Sequence, residues 1–301
     1  MPTSLSVAAV FATMDRAKTA EACVKALAQQ TCLPKWVIIA DNDSTDDTVA
    51  VLESLSDLPF HLIVHQMGEN LGNAGGVKAV MELAFSLGAD AVWILDDDSW
   101  PRPPCLAAML EGAWNPGVVR HALQIDPLTL QFTWPLQIRS GTGGWQLVKN
   151  EAAMPDCAKV TSRISWTGAL LPREVWKVVG PVNGELFIRG EDEEYPWRIE
   201  QAGFTQEAIR GALMDHPGPL SVIHWKLLGK SFFFEKGLAD WKLYYKVRNM
   251  VWLKKLQRGK FHSILMASSY LVFAVVVDGV QRLPLLIRAI LDGWHGRLGK
   301  M

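Results

Sequence analysis

The chain has 301 residues, of which 49% are hydrophobic and 20% are charged, and its formal net charge is −1. This length and apolar content support one large α/β domain with an appendage and exclude a disordered chain. The 4 cysteines form no CxxC pair and no signal sequence precedes the first strand-like segment, so we expect a reducing cytoplasm.

The first half of the chain alternates β-branched runs with segments of helical periodicity. This alternation is typical of βαβ units and predicts a mostly parallel sheet flanked by helices. The predicted strands are residues 6–12, 36–40, 60–65 and 91–95, and the predicted helices are residues 16–29, 45–55 and 75–87. Open sheets of this kind bind ligands beyond the carboxyl ends of their strands, so we expect a nucleotide-binding half.

The second half of the chain has shorter predicted elements and ends in a long helix. Residues 118–148 are β-like, and the predicted helices are residues 173–179, 193–202 and 238–255. We therefore expect a catalytic domain over residues 1–237 and a helical segment over residues 238–301. The catalytic domain divides into a nucleotide-binding half of about residues 1–115 and an acceptor half of about residues 116–237.

Three adjacent carboxylates, Asp96, Asp97 and Asp98, follow the fourth predicted strand. They repel one another unless a cation or extensive solvation relieves the repulsion. Mg²⁺ or Mn²⁺ suits such oxygen ligands, and Mg²⁺ is typically held by one or two carboxylates together with substrate phosphates. A solvated acidic turn is the alternative, but the position at the end of an apolar strand favours a cation and phosphate site.

The second predicted strand is also followed by acids, and Asp41 is the first of them. At the tip of a strand its carboxylate can accept hydrogen bonds from a base or a ribose. Asp43 or Ser44 can serve as an ordinary helix N-cap, and we expect capping and ligand binding to share this cluster.

The glycine-rich segment from Asn70 to Gly76 precedes a predicted helix. Its glycines allow close backbone approach, and the start of the helix offers N–H groups to an anion. A tight turn explains the segment equally well, so alone it is weak evidence for phosphate binding.

Four acids at residues 191–194 begin another predicted helix. The helix dipole stabilises acids at this end, which explains them without catalysis. In the functional interpretation, one of these carboxylates faces the cleft and acts as the general base for an acceptor hydroxyl. His216 and His224 follow as candidate metal ligands, although a lone histidine is more often structural.

The C-terminal tail differs from the rest of the chain in charge and in apolar content. Residues 242–301 carry 11 Lys and Arg against 2 Asp and Glu, whereas residues 1–241 carry 19 against 29. The tail is too apolar for a nucleic-acid-binding arm, and its uncharged run, residues 261–277, is shorter than the roughly 20 residues that span a bilayer. We expect helices that lie on an anionic membrane surface, with a core-packing or dimer-forming helix pair as the alternative.

Together these residues resemble the family two inverting glycosyltransferases, over about residues 5–250. The resemblance implies a GT-A fold, with a Rossmann-like, mostly parallel sheet flanked by helices. It is carried by Thr13, Arg16, residues 41–46, residues 70–76 and the strand-end acids. Within that family the chain looks most like the bacterial galactofuranosyltransferases, through residues 172–180, residues 186–188 and a set of single residues. Rhamnosyltransferases share most of these motifs. The single residues are Asp192, Tyr195, Arg198, His216, Asp240, Trp241, Tyr244, Arg248 and Asn249.

The resemblance also implies a role for each matching residue. Asp41 would bind the base or ribose, Asp96 or Asp97 would contact the nucleotide sugar, and Asp192 would be the general base. Asp98 and His216 would hold Mg²⁺ or Mn²⁺. The remaining donor-side residues are Thr13, Arg16, Asn70 and Gly75, and the acceptor-side residues are Trp166, Thr167, Gly168 and Glu191.

The expected reaction is inverting transfer of a sugar from a nucleotide diphosphate to a hydroxyl of a lipid-linked or polysaccharide acceptor. UDP-galactofuranose is the favoured donor and dTDP-rhamnose the alternative. A sugar-phosphate nucleotidyltransferase is a lower alternative, because the basic glycine-rich loop that such an enzyme has after its first strand is absent. A non-catalytic membrane-surface scaffold is also a lower alternative, because the candidate catalytic residues are intact. We expect a cytoplasmic protein on the inner face of the cell membrane, with no nucleic-acid partner. If the tail does not bind the membrane, we expect it to form a homo-oligomer interface.

Overall fold

The computed structural model describes residues 5–139, 143–161, 163–218, 222–227 and 230–301. Its contacts divide these residues into two compact units. The first unit contains the described residues up to 184 together with residues 191–218, and the second contains residues 185–190 together with the described residues beyond 218. The division into residues 1–237 and 238–301 that we expected from the sequence stays a prediction.

The first unit is built on a mixed sheet with helices on both faces. Its strands are β1 (Val7–Thr13), β2 (Trp36–Asp41), β3 (His61–Gln66), β4 (Ala91–Ile94), β5 (Trp100–Pro101), β6 (Val118–Ile125), β7 (Leu136–Arg139), β8 (Trp145–Val148), β9 (Cys157–Lys159), β10 (Ala169–Pro172) and β11 (Thr205–Asp215). Its helices are α1 (Ala17–Ala28), α2 (Thr48–Glu53), α3 (Gly72–Ser86), α4 (Cys105–Leu110), α5 (Arg173–Val179) and α6 (Glu191–Gln201).

The main sheet has the strand order β3-β2-β1-β4-β10-β6-β11-β5, and β9 pairs with β11. Strands β3, β2, β1 and β4 are parallel, as the βαβ pattern predicts. Strand β10 enters antiparallel between β4 and β6, and β7 and β8 form a separate antiparallel hairpin. The predicted α/β fold with a mostly parallel sheet in its first half is confirmed.

Strands β1 and β2 are buried along their whole length because helices cover both faces of the sheet. Val10 and Ile38 belong to the core that α3, α5 and α6 cover. Their neighbours in sequence, Phe11 and Ile39, belong to the core that α1, α2 and α4 cover. Successive side chains of a strand alternate between faces, so each apolar run supplies both cores.

Helices α2 and α3 begin three residues away from the predicted positions, further than the other predicted helices. Helix α2 begins at Thr48, not at residue 45, because the backbone N–H groups of Thr45 and Asp46 donate to the Asp15 carboxylate and form a turn. Helix α3 begins at Gly72, so Gly75 and Gly76 lie inside it. A Cβ on Gly76 would lie 2.9 Å from the Ala12 Cβ and 3.2 Å from the Ala40 Cβ, so glycine lets α3 approach the sheet closely.

The second unit contains a hairpin and a helical bundle. Its elements are β12 (Val222–Leu227), β13 (Lys230–Glu235), α7 (Asp240–Arg258), α8 (Lys260–Phe273) and α9 (Leu283–His295). The predicted long helix is confirmed as α7, which ends where Gly259 adopts a φ of 84°. Tyr244, Tyr245 and Phe273 lie in an apolar core that the three helices share.

One helical stretch of the described chain, Lys260–Asp278, is long and apolar enough to cross a membrane by length and composition. Its 19 residues have a mean hydropathy of 1.6, and 22% of the 18-residue window is buried inside the protein. Length and composition alone are weak evidence for a span because core helices of globular proteins share them.

Candidate active site

The carboxyl ends of the parallel strands bring the predicted acids to one edge of the sheet. Thr13 at the end of β1 pairs in register with Asp41 at the end of β2. Strand β4 runs parallel to β1 on its other side and leads through Leu95 to Asp96. Residues from three separate segments therefore meet at the edge where open α/β sheets bind their ligands.

Asp96, Asp98 and His216 form a group that could hold a metal ion. One candidate ligand atom from each lies within 4.8 Å of the other two. The His216 Nε2 lies 3.6 Å from an oxygen of each carboxylate. Two carboxylates and an imidazole are an oxygen and nitrogen donor set that suits Mn²⁺ or Mg²⁺, so the residues present fit the metal that the sequence predicts.

The backbone around His216 fixes the direction of its ring. The His216 N–H donates to the Ile125 carbonyl over 2.9 Å, and the His216 carbonyl accepts from the Thr133 hydroxyl over 2.8 Å. Nδ1 lies 2.9 Å from the Pro217 carbonyl, which can only accept, so Nδ1 donates and Nε2 faces the acids. Burial acts to lower the pKa of His216, but the Asp96 and Asp98 carboxylates outweigh burial and raise it.

Asp97 points away from this group although it stands between two of its members. Its side chain is 8% exposed, accepts from the Thr13 hydroxyl over 2.9 Å and pairs with an Arg16 Nη over 2.8 Å. Burial raises the pKa of Asp97 to about 7, while the Arg16 charge opposes this rise. The other Nη of Arg16 lies 3.0 Å from Asp98, so Arg16 ties Asp97 to the candidate metal group.

Asp41 is buried at the tip of β2 with one oxygen unused. Its Oδ2 accepts from the Ser44 N–H over 3.2 Å. Its Oδ1 has no hydrogen-bond partner among the residues that the structure describes. A buried acceptor without a donor costs roughly 1–3 kcal/mol, so this oxygen is suited to accept a hydrogen bond from a bound ligand.

The first turn of α3 lies beside β2 and is held by asparagine side chains. The Asn70 carboxamide oxygen accepts from the Gly72 N–H over 2.8 Å. The Asn42 amide donates to the Gly72 carbonyl over 3.1 Å. These bonds fix the start of the helix, where free N–H groups and the dipole attract anions.

Glu191 and Asp192 begin α6 but lie in different environments. Glu191 is 3% exposed and accepts from the Asn73 amide over 3.1 Å, whereas Asp192 is exposed. Burial, and then the charge of Asp192, raises the pKa of Glu191 to about 8, and Asp96 contributes in the same direction. The pKa of Glu191 therefore depends in part on the charge of the candidate metal group.

The segment Trp166–Gly168 leads into β10 behind the same acids. Trp166 is buried and meets the Tyr195 ring edge-on, with 6.4 Å between the ring centroids. The Thr167 hydroxyl donates to Asp96 Oδ2 over 2.8 Å and so orients this carboxylate. Gly168 has a φ of 91°, and a Cβ there would lie 2.9 Å from the Met214 sulfur.

The comparison with protein families decides the class of this site. The model of the family described as Glycosyl transferase family 2 matches residues 9–179. The chain belongs to glycosyl transferase family 2. It is therefore a glycosyltransferase, as the sequence predicts.

Curated relatives of this family 2 glycosyltransferase are galactofuranosyltransferases. The chain is 28% identical over 221 residues to galactofuranosyltransferase GlfT1 of Mycobacterium tuberculosis (strain CDC 1551 / Oshkosh), and the match covers 70% of each chain. It is 26% identical over 221 residues to GlfT1 of Mycolicibacterium smegmatis, again with 70% of each chain covered.

Solved structures show that the fold is GT-A. GalNAc-T7 with UDP, GalNAc and Mn²⁺ matches with a TM-score of 0.63 and 13% identity over 97% of this chain, which spans only 55% of GalNAc-T7. Mannosyltransferase PcManGT from Pyrobaculum calidifontis, with GDP-Man and Mn²⁺, matches with a TM-score of 0.56 and 16% identity. That match covers 98% of this chain and 83% of PcManGT.

The structure of this family 2 glycosyltransferase refines where the predicted residues lie. Asp96, which we predicted to contact the donor, lies with Asp98 and His216 in the candidate metal group. Gly75 lies within α3 and not in a preceding loop. The His224 side chain lies outside the described part of the chain. The sequence analysis missed Asn73 as the partner of Glu191. It placed the start of the helix at residue 75, whereas α3 begins at Gly72 and so includes Asn73 in its first turn.

Proposed function

We propose that this family 2 glycosyltransferase transfers galactofuranose from UDP-galactofuranose, with inversion, to a hydroxyl of a lipid-linked or polysaccharide acceptor. The observation that carries this proposal is the group of Asp96, Asp98 and His216 at the sheet edge. The identity to galactofuranosyltransferases supports the choice of sugar.

The donor nucleotide is proposed to bind along the ends of β1 and β2. The Asp41 Oδ1, which has no partner within the described part of the chain, would accept a hydrogen bond from the base or the ribose. Thr13 and Arg16 line the donor side, where Arg16 can turn from the acids toward a phosphate. The start of α3, with Asn70 and Gly75, would offer its dipole to the diphosphate.

Asp96, Asp98 and His216 would hold Mg²⁺ or Mn²⁺. A divalent cation bound there supplies electrostatic stabilisation for the negative charge that develops on the leaving diphosphate. Thr167 orients Asp96, and Asp97 holds Arg16 beside Asp98. The neighbouring residues thus fix the direction of the ligand atoms, as partners of metal ligands generally do.

Asp192 is the proposed general base. It accepts the proton of an acceptor hydroxyl as that oxygen forms its bond to the anomeric carbon. The bond from this carbon to the diphosphate oxygen breaks on the opposite face, so the configuration inverts. Asp192 is exposed, so an acceptor hydroxyl can reach it, as a base in this step requires.

The acceptor is proposed to approach along Trp166, Thr167 and Gly168, with Glu191 on the same side. Glu191 is buried beside Asp192 and is held by Asn73. Its proposed role is to support the base and the adjoining wall of the cleft without taking the proton itself.

The proposed location is the cytoplasmic face of the cell membrane, where the second unit would attach peripherally. Phe261 is 72% exposed and Val276 is 62% exposed, and Arg258 and Lys260 are exposed in the sequence next to Phe261. Exposed apolar side chains with adjacent basic ones suit an anionic lipid surface, which would bring the cleft to a lipid-linked acceptor.

A donor panel tests the proposal. Purified protein with Mn²⁺ or Mg²⁺ is assayed against UDP-galactofuranose, dTDP-rhamnose and other nucleotide sugars, with a chelator as the metal-free control. Transfer from UDP-galactofuranose that the chelator abolishes is expected. Preference for dTDP-rhamnose would instead make the protein a rhamnosyltransferase. Absence of transfer from every donor would favour a non-catalytic scaffold.

Asp192→Asn tests the base in the same assay. The variant should bind UDP with Mn²⁺ as the wild type does but lose about 10²–10⁴-fold in turnover, which is the usual contribution of a general base. Glu200→Gln, at an exposed position of the same helix, should keep wild-type turnover. Near-wild-type turnover of Asp192→Asn would refute the assignment.

A further inference from the structure

Arg248 and Asn249 are buried in the middle of α7, and the proposed chemistry makes no use of them. Arg248 is 1% exposed and Asn249 is 0% exposed. Burial of a guanidinium and a carboxamide is costly unless their donors are satisfied. Apart from one bond between the two side chains, their partners are backbone carbonyl oxygens, and most of these belong to one short loop, residues 185–190.

The two side chains hold this loop by hydrogen bonds to its backbone carbonyls. The Asn249 amide donates to the carbonyls of Leu186 over 2.8 Å and Ile188 over 3.1 Å, and also to that of Arg189. An Arg248 Nη donates to the carbonyls of Glu185 over 3.2 Å and Leu186 over 3.1 Å. The Arg248 Nε donates to the Asn249 carboxamide oxygen over 2.8 Å, which turns the Asn249 amide toward the loop.

The loop has a conformation that needs such support. Phe187 and Arg189 have φ values of 65° and 66°, a region that is strained for residues with a Cβ. Gly190 has a φ of 105°, and a Cβ there would lie 3.1 Å from the Asn249 Cβ. A backbone of this kind persists only where its surroundings determine it, and three carbonyls of the loop lie within hydrogen-bond distance of the Asn249 amide nitrogen.

Two further contacts of the second unit hold the same loop. The Phe187 ring stacks on the Tyr245 ring, with 4.6 Å between centroids. Arg189 pairs with Glu235 over 2.8 Å. The loop is therefore fixed by its side chains as well as by its carbonyls.

The loop leads directly to the proposed base. Gly190 is joined by a peptide bond to Glu191, and Asp192 is the second residue of α6. The φ and ψ angles of residues 187–190 set the direction in which the chain enters that helix. Any freedom in the loop would pass to the first turn of α6, where a displacement of ~1 Å can cost about 10²-fold in rate.

We propose that Asn249 is a positioning residue for the transfer step, which holds the loop of residues 185–190 in the conformation that presents Asp192 to the acceptor. This inference rests on the proposed role of Asp192 as the base. It assigns to the second unit a part in catalysis besides attachment to a membrane.

The test compares Asn249→Ala with Ser263→Ala. Ser263 is a matched control because its buried hydroxyl donates to the Val251 carbonyl of α7 over 2.7 Å and does not touch the loop. Asn249→Ala should lower kcat by about tenfold or more, with unchanged calorimetric affinity for UDP with Mn²⁺. Ser263→Ala should keep kcat within about twofold at a comparable loss of Tm. Equal kcat values for the two variants would overturn the proposal.

A double variant separates this proposal from the proposed function. If Asn249 acts through Asp192, Asn249→Ala should cause little further loss of turnover in the Asp192→Asn background, because residues that act as a unit are not additive. A full further loss would refute the positioning role. Wild-type turnover of Asp192→Asn alone would refute the role of Asp192 as the base and, with it, the positioning role of Asn249.

Gly190→Ala covers the case in which Asn249→Ala does not fold. The new Cβ disturbs the same loop from its other side, through its contact with Asn249 and its positive φ. It should lower kcat with unchanged affinity for UDP with Mn²⁺. Normal kcat in folded Gly190→Ala would overturn the proposal.

Discussion

At the scale of single residues, neighbours in the sequence take different parts in this site. Asp97 is buried against Thr13 and Arg16, whereas Asp96 and Asp98 turn toward His216. The acids at the start of α6 separate in the same way, since Glu191 is buried and Asp192 is exposed. Each acidic run is thus divided between buried positions and positions that are proposed to act in the transfer.

Glu191→Gln tests the buried acid of this pair. The pKa of Glu191 is raised to about 8, so between about pH 5 and pH 8 the folded protein holds a proton that the unfolded chain has released. Stability should therefore fall as the pH rises through this window and level off above it. Glutamine carries no such proton, so Glu191→Gln should flatten this fall.

The measurement is Tm against pH for wild type and variant, with a chelator present. The chelator prevents metal binding near Asp96, which would change the electrostatic effect of Asp96 on residue 191. Asp192 and the Asn73 amide lie beside residue 191 in both proteins, so their effects are common to both curves. Parallel Tm curves across the window would show that Glu191 is ionised in the folded state.

At the scale of elements, glycines decide how closely helices approach their neighbours. Gly76 lets α3 lie against β1 and β2, and Gly293 lets α9 cross α7. A Cβ on Gly293 would lie 3.0 Å from the Arg248 carbonyl carbon and 3.2 Å from the Arg248 Cα, and it would also meet the carbonyl oxygen. These atoms belong to the backbone of α7, which cannot move aside as a side-chain tip can.

Gly293→Ala should therefore destabilise the protein although alanine favours helices. The helix propensity gained is roughly 1 kcal/mol, whereas overpacking against a backbone costs typically 1–3 kcal/mol and occasionally more. We expect the clash to prevail and Tm to fall. Thermal unfolding is compared with that of Gly144→Ala, where the new Cβ meets nothing within 4 Å. A raised Tm for Gly293→Ala would show that α7 and α9 separate freely.

At the scale of the whole molecule, charge is distributed unevenly along the chain. The 11 basic residues of residues 242–301 outnumber its acids, while the rest of the chain is acidic. Such a distribution attracts the tail to an anionic surface and repels the remainder from it.

Flotation with liposomes tests the proposed attachment. The full chain should float with phosphatidylglycerol vesicles at low salt, bind less at high salt because screening weakens surface charges, and ignore phosphatidylcholine vesicles. Reversal of Arg258 and Lys260 to Glu should weaken binding by more than about tenfold, since each basic residue contributes about 1 kcal/mol. The same reversal at the exposed Lys149 and Lys159 should have a smaller effect.

Two outcomes would contradict peripheral attachment. Retention in vesicles through a high-salt wash would assign residues 260–278 to a membrane span. Failure to float, together with a dimer in size-exclusion chromatography, would make the tail an oligomer interface.

The sequence by itself determined the first four strands, most helices and the acids that follow the second and fourth strands. These features depend on local periodicity and on residue types, which the chain displays directly. Tertiary structure decided which acids meet. His216 joins Asp96 and Asp98 only because β11 brings distant residues to the same edge, and Asn249 reaches the loop before Asp192 across some 60 positions of sequence. Contacts of this kind depend on how elements pack, and no local pattern encodes that packing.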